Sequence, residues 1–187
     1  MIEKAAQSFS DYIIKNGADP NDKEIFEYSI SSFLSSFFTY GTILLLAAML
    51  HIFKEALIFM LFFIPLRSSI GGYHAQTRAR CFVMSVLITM VVLLLLLPYV
   101  NSWILLPVPI IALITIFAIA PVTHPNHPLS EGYKLKAKKV ARLIIIIQCI
   151  LLVFIYNFCG YSFYNIAAIG ILTAIVSALL AHFINKS

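Results

Sequence analysis

The chain has 187 residues, 61% of them hydrophobic and 11% charged, with a mean hydropathy of +0.95. A soluble domain of that size needs far more polar surface, so a water-soluble globular fold is excluded. The net charge of +5 does not argue for nucleic acid, because the basic residues flank apolar segments and so define membrane topology instead.

Residues 1–27 hold six acids against three lysines, which is unlike a secretory signal with its basic head. Ile2, Ala5, Ala6, Phe9 and Ile13 recur at helical spacing there among charged residues, predicting an amphipathic helix that lies along the membrane interface and ends at Gly17. Asp19 as N-cap and Pro20 at the first helical position predict the start of the next helix, which enters the membrane as a first span at about 29–50. Serines at 29, 31, 32, 35 and 36 give that span a small face of the kind that lets helices approach closely, and so suggest a homodimer. The second span is the shortest, with only residues 56–66 uncharged between Glu55 and Arg67.

Phe82–Ala120 and Leu143–Asn185, of 39 and 43 residues, carry no charge. Each is long enough for two spans of roughly 20 residues. The expected divisions are 82–97 and 102–120 around Pro98, with Pro107 and Pro109 kinking the latter, then 143–158 and 163–183 around Gly160. The result is an all-α, polytopic single domain over 1–187 with six spans and both termini on one side. Twelve of the 13 Lys and Arg residues fall on that side and only Lys54 on the other, which orients termini and basic loops, 67–81 and 121–142, toward the cytosol.

Beyond Glu55 at a helix end, no span contains an acid or a base, so an ion-coupled pump is disfavoured. Clustered carboxylates for a metal-dependent lipid transferase and a glycine-flanked serine for an intramembrane serine protease are missing too. His124 and His127 lack a third ligand, and no metal or cofactor is called for. Three scattered cysteines do not make a disulfide framework. What stands out is the polar stretch 67–81.

That stretch combines a thiol, a base and glycines. Cys81 is expected at the N-terminal end of the third span beside Arg78 and Arg80, where positive charge and the helix dipole both favour thiolate. His74 could take the thiol proton and return it to a leaving amine. Seven residues of helix would separate the two by about 10.5 Å, so a dyad needs a bend, and Gly71 and Gly72 supply freedom for one. An exposed loop histidine and a small apolar cysteine are the alternative reading of the same residues. Gln76 and the Cys81 amide are candidate oxyanion donors, and Arg67 either binds substrate or anchors the helix at the interface. Lys134, Lys136, Lys138, Lys139 and Arg142 suit an acidic peptide or anionic lipid equally.

Arg67, Gly71 to Ala75, Thr77 and Cys81, with the acidic start, Ala120-Pro121 and the basic run 134–142, resemble the accessory gene regulator protein B (AgrB) family of Gram-positive quorum sensing. The resemblance implies a multi-pass cell-membrane cysteine endopeptidase with its active site facing the cytosol. In that family the catalytic histidine and cysteine stand at the positions matched by His74 and Cys81. It further implies an AgrD-like propeptide as substrate, which loses its C-terminal tail and closes a thiolactone ring. A peptide exporter with the 67–81 loop as gate is the other function that a six-helix bundle allows.

Overall fold

The computed structural model describes residues 2–17, 19, 22–70, 78–120 and 131–184, and all of its regular structure is helical. Helix α1 (Ile2–Lys15) is followed by α2 (Lys23–Met49), α3 (Phe53–Ile70) and α4 (Arg78–Val91). Helix α4 continues through a wide π turn, Val92–Leu96, and a 3-10 turn, Leu97–Tyr99. There the Leu97 amide reaches back to the Val92 carbonyl, and the widened turn immediately precedes Pro98, which has no N–H to continue the helix. A short α5 (Ser102–Leu105) and α6 (Val108–Ile119) make up the next pass, broken at Pro107 as its prolines predict. Helices α7 (Glu131–Phe158) and α8 (Tyr161–Ile184) complete the bundle.

Among the described residues five helical stretches are long and apolar enough to span a bilayer: Lys23–Met49, Ala79–Tyr99, Ser102–Ile119, Lys134–Phe158 and Tyr161–Phe183. Helix α3, the expected second span, is not among them. Its 18 residues extend about 27 Å, close to the roughly 30 Å of a hydrocarbon core. Lys54, Glu55 and Arg67 make it the least lipid-like in composition, yet it lies inside the bundle, packed on α2, α7 and most extensively α8. Ala56, Phe59, Leu66 and Ile70 are fully enclosed, against an α8 face of Ala167, Gly170, Ala174 and Ala178. Small residues at that spacing let the two backbones approach closely.

Polar contacts fix the other crossings. Pro109 cannot donate to the Leu105 carbonyl, and the Tyr164 hydroxyl donates to it instead at 3.1 Å. Gln148 Nε2 donates to the Phe62 carbonyl at 2.8 Å, three residues before Pro65, where α3 is loosened by a missing N–H. Arg142 lies over the Phe117 ring at 4.4 Å and donates to the Phe117 carbonyl at 3.4 Å, near the C-terminus of α6. Its contacts are therefore within the fold.

Two local expectations differ from the structure. Helix α2 starts at Lys23 with Asp22, not Asp19, at its N-cap position and no side-chain capping bond; the Asp22 amide donates to the Asp19 carbonyl at 3.0 Å, and the expected first position Pro20 lies outside the described residues. Helix α1 ends near Gly17, which takes φ +103°, as expected, but it packs back on α2 with Ala6 and Ser10 buried. Lys23 pairs with Asp11 at 2.7 Å across that joint, leaving Phe9 and Tyr12 exposed. At 27 residues α2 is about 40 Å long, so its first turns extend past the membrane core and carry α1 with them.

Candidate functional site

Phe59, Phe63 and Arg67 follow one another at i, i+4 and i+8 and therefore share a face of α3. The two rings stack at 5.4 Å, and the Arg67 guanidinium carbon lies 5.7 Å from the Phe63 ring centre. Arg67 Nη1 donates to the Ser177 hydroxyl of α8. The guanidinium thus points into the bundle from the last turn of α3, where the helix dipole favours a cation.

Helix α4 begins at Arg78, so Cys81 sits in its first turn, half-buried and facing the same interior as Arg67. Arg80 beside it is exposed. Two cavities meet at this pair. The first, of about 310 Å³ between α3, α4 and α8, is walled mainly by Phe63, Met84, Ile88, Val176 and Leu180. The second, of about 290 Å³ between α2, α3 and α4, is walled by Ser32, Ser35, Ser36, Thr39 and Tyr40, with Ser68 and Ser85 opposite. Arg67, Cys81, Phe63 and Ser85 belong to both. A thiol at the junction of an apolar and a hydroxyl-lined space, next to a fixed guanidinium, has room for a chain on either side of an attacked carbonyl.

Ser32, Ser35 and Ser36 of the serine-rich α2 therefore line a cavity of this chain itself, shared with Arg67 and Cys81. Lys134, Lys136, Lys138 and Lys139 occupy the first turns of α7 and line neither cavity. His74, Gly71, Gly72 and Gln76, the side chain of Arg78 and the loop 121–130 lie outside the described residues. Among the described residues no three His, Cys, Asp or Glu side chains gather as a metal cluster.

Sequence reasoning did not single out Tyr40, Ser85, Thr89, Thr173 or Ser177. The readable signal was hydroxyl residues four apart, 85 with 89 and 173 with 177, inside otherwise apolar spans.

No solved structure matches this chain. Over 125 residues it is 31% identical to AgrB-like protein 1 of Clostridium perfringens, an alignment covering 64% of this chain and 66% of that relative. The family model described as accessory gene regulator B matches residues 6–180, nearly the whole bundle from α1 to α8 together with the Cys81 site, and the chain belongs to that family.

Proposed function

We propose that the protein is a membrane-embedded cysteine endopeptidase that removes the C-terminal tail of an AgrD-like propeptide and lets the remainder close into a thiolactone. The observation that carries this reading is the position of Cys81: a helix-start thiol at the meeting point of two cavities, beside Arg67, at the end of the bundle that bears the basic residues. By the charge bias that end is cytosolic, where a newly made peptide arrives.

In the proposed reaction His74 takes the Cys81 proton, and the sulfur attacks the carbonyl at the end of the future ring segment. Collapse of the tetrahedral adduct breaks the C–N bond, and His74 returns the proton to the departing amine of the tail. The acyl group is then held on Cys81 as a thioester. The propeptide's own cysteine attacks it, its proton passing to the Cys81 sulfur, so one thioester replaces another. That exchange recovers little free energy, and the first step trades a stable amide for a less stable thioester. Net ring formation therefore depends on removal of the tail and on keeping water away, while tethering gives the internal thiol a high effective concentration. Helix α3 fills the bundle centre with enclosed Phe59, Leu66 and Ile70, which favours the peptidase over the exporter, because an exporter needs a path there. Lys134, Lys136, Lys138 and Lys139 project at the basic end and would attract an acidic tail before it reaches the thiol.

The test is purified protein in lipid vesicles with synthetic propeptide. Cys81→Ser, Cys81→Ala and His74→Ala should each abolish cleavage, and a propeptide with its cysteine changed to alanine should accumulate as acyl-enzyme on Cys81. Added tail peptide should suppress net ring formation. Undiminished cleavage by any of these variants would remove the dyad. Rapid hydrolysis to a linear acid, indifferent to added tail, would make the protein an ordinary hydrolytic protease.

A further inference from the structure

The two cavities at Cys81 differ in their course along the helices as well as in polarity. Along α4 the apolar cavity follows Met84, Ile88 and Thr89, eight residues or about 12 Å beyond the thiol toward the membrane centre. Along the same helix the hydroxyl-lined cavity reaches only Ser85, and on α2 it begins at Ser32, on the side of the protruding first turns. One space is thus an apolar, half-open recess that runs along α4 beyond the thiol, and the other a more polar one that runs along α2 from Ser32 to Tyr40, nearer the basic end.

Two hydroxyls of the more polar cavity also have a defined hydrogen-bonding sense. Thr39 Oγ1 donates to the Ser35 carbonyl at 2.8 Å and Ser68 Oγ to the Pro65 carbonyl at 3.0 Å. Their protons are committed to their own helices, so what they present to the cavity is acceptor lone pairs. The acceptors that Thr39 and Ser68 present suit amide N–H groups and an amine.

We propose that these cavities are the two subsites that flank the cleaved bond. The apolar recess takes the side chain of the residue whose carbonyl Cys81 attacks, and the hydroxyl-lined cavity takes the N–H-bearing strand that leaves. This rests on the peptidase reading above. The assignment of sides follows from the products. The acyl fragment stays bonded to sulfur, so its side chain can remain against the apolar walls of the cavity of about 310 Å³. The tail must depart with a new amine, which is costly to hold in an apolar space without a hydrogen bond but is accepted by hydroxyl oxygens on the way to water. Once protonated, that amine is repelled by Arg67, which favours release. Specificity then lies in the recess: a large aliphatic or aromatic side chain is required there, and a charged one is rejected.

The test uses full-length protein carrying Cys149→Ser and Cys159→Ser, so that Cys81 is its single thiol, in vesicles of phosphatidylcholine and phosphatidylglycerol. Rates of disulfide formation are compared for methyl, n-hexyl and 2-(trimethylammonio)ethyl methanethiosulfonate, the methyl reagent reporting thiol access and folding. Val176→Phe and, independently, Thr173→Phe fill the recess and should lower the hexyl-to-methyl ratio about tenfold or more, with the trimethylammonio-to-methyl ratio unchanged. Ser36→Phe should produce the opposite pattern. Equal effects on both reagents, or a hexyl ratio that ignores both filling variants, would overturn the assignment. In a second arm, synthetic propeptides carry Leu, Phe, Ala or Asp immediately before the cleaved bond. Wild type should prefer Leu and Phe, and Val176→Phe should shift the kcat/KM ratio toward Ala by about tenfold. Cleavage that needs Cys81 with an unmoved preference would sink the subsite assignment and leave the peptidase standing. No cleavage of any propeptide by wild type would overturn the peptidase reading itself.

Discussion

The closest backbone approach between α3 and α8 is the most sensitive point for mutation, and Gly170→Ala probes it. A Cβ on residue 170 would lie 2.9 Å from the Phe59 carbonyl oxygen and 3.5 Å from Phe62 Cβ. The shortest ordinary C···O separation is about 3.3 Å, so the helices must part by about 0.4 Å, and the obstacle is backbone that cannot rotate away. Overpacking of this kind costs about 1–3 kcal/mol, of which better helix propensity returns about 1. The expected net loss is about 1 kcal/mol, roughly fivefold in the folded-to-unfolded ratio, and Gly170→Leu should lose considerably more. Equilibrium unfolding by SDS in mixed micelles, followed by circular dichroism, measures this. The displacement would also reach the site, because Phe63 and Arg67 follow Phe59 on the same face of α3 and Arg67 is bonded to Ser177 of α8. An alanine variant as stable as the parent, with leucine tolerated too, would refute the close crossing.

Tyr164→Phe should destabilise by about 0.6–1.7 kcal/mol in the same assay, since it strands the Leu105 carbonyl that Pro109 cannot serve; an unchanged midpoint would mean that the carbonyl finds another donor. In intact cells a membrane-impermeant maleimide should label exposed Cys159 and spare Cys81 until the membrane is opened; the reverse pattern would invert the topology. Replacing Lys136, Lys138 and Lys139 by glutamine should weaken propeptide capture at low salt, with the difference fading as the Debye length shrinks from about 30 Å at 0.01 M to about 8 Å at 0.15 M; equal capture at low salt would assign those lysines to lipid.

Much of the fold was legible because its signals are local. Gly17 and Gly160 take positive φ at helix ends, Pro98 and Pro107 fall where helices change pitch or break, and uncharged stretches mark the passes. His51 was not legible as a turn residue. It adopts φ +59° where its amide and that of Ile52 bond back to Ala48 and Ala47, a C-terminal motif usually given to glycine. The central place of α3 was not legible either, since hydropathy measures suitability for lipid and a helix buried among helices need not be lipid-like. Its partner face on α8, with Ala167, Gly170, Ala174 and Ala178, did carry the small-residue spacing that announces close packing. At the site, Cys81 and Arg67 were readable as chemistry, but their shared cavities each depend on three helices converging, which no local spacing encodes.

The same physics explains why this site sits at the end of α3, whose Lys54, Glu55 and Arg67 set it apart from the five apolar stretches. A guanidinium in a span is tolerated when it faces protein and finds partners, and Arg67 does so through Ser177 and the Phe63 ring, one turn from the end of α3. Hydroxyl-bearing residues are similarly tolerated because each can donate to a carbonyl of its own helix, as Thr39, Ser68 and Thr173 do. The cavity walls are therefore stable without a ligand. They also retain unused acceptors in surroundings of low dielectric, where a hydrogen bond is worth more than in water. A bundle built this way can hold a polar reaction at the membrane face without a water-filled channel beneath it. Cys81, fixed in the first turn of α4, then lies at the junction of both cavities.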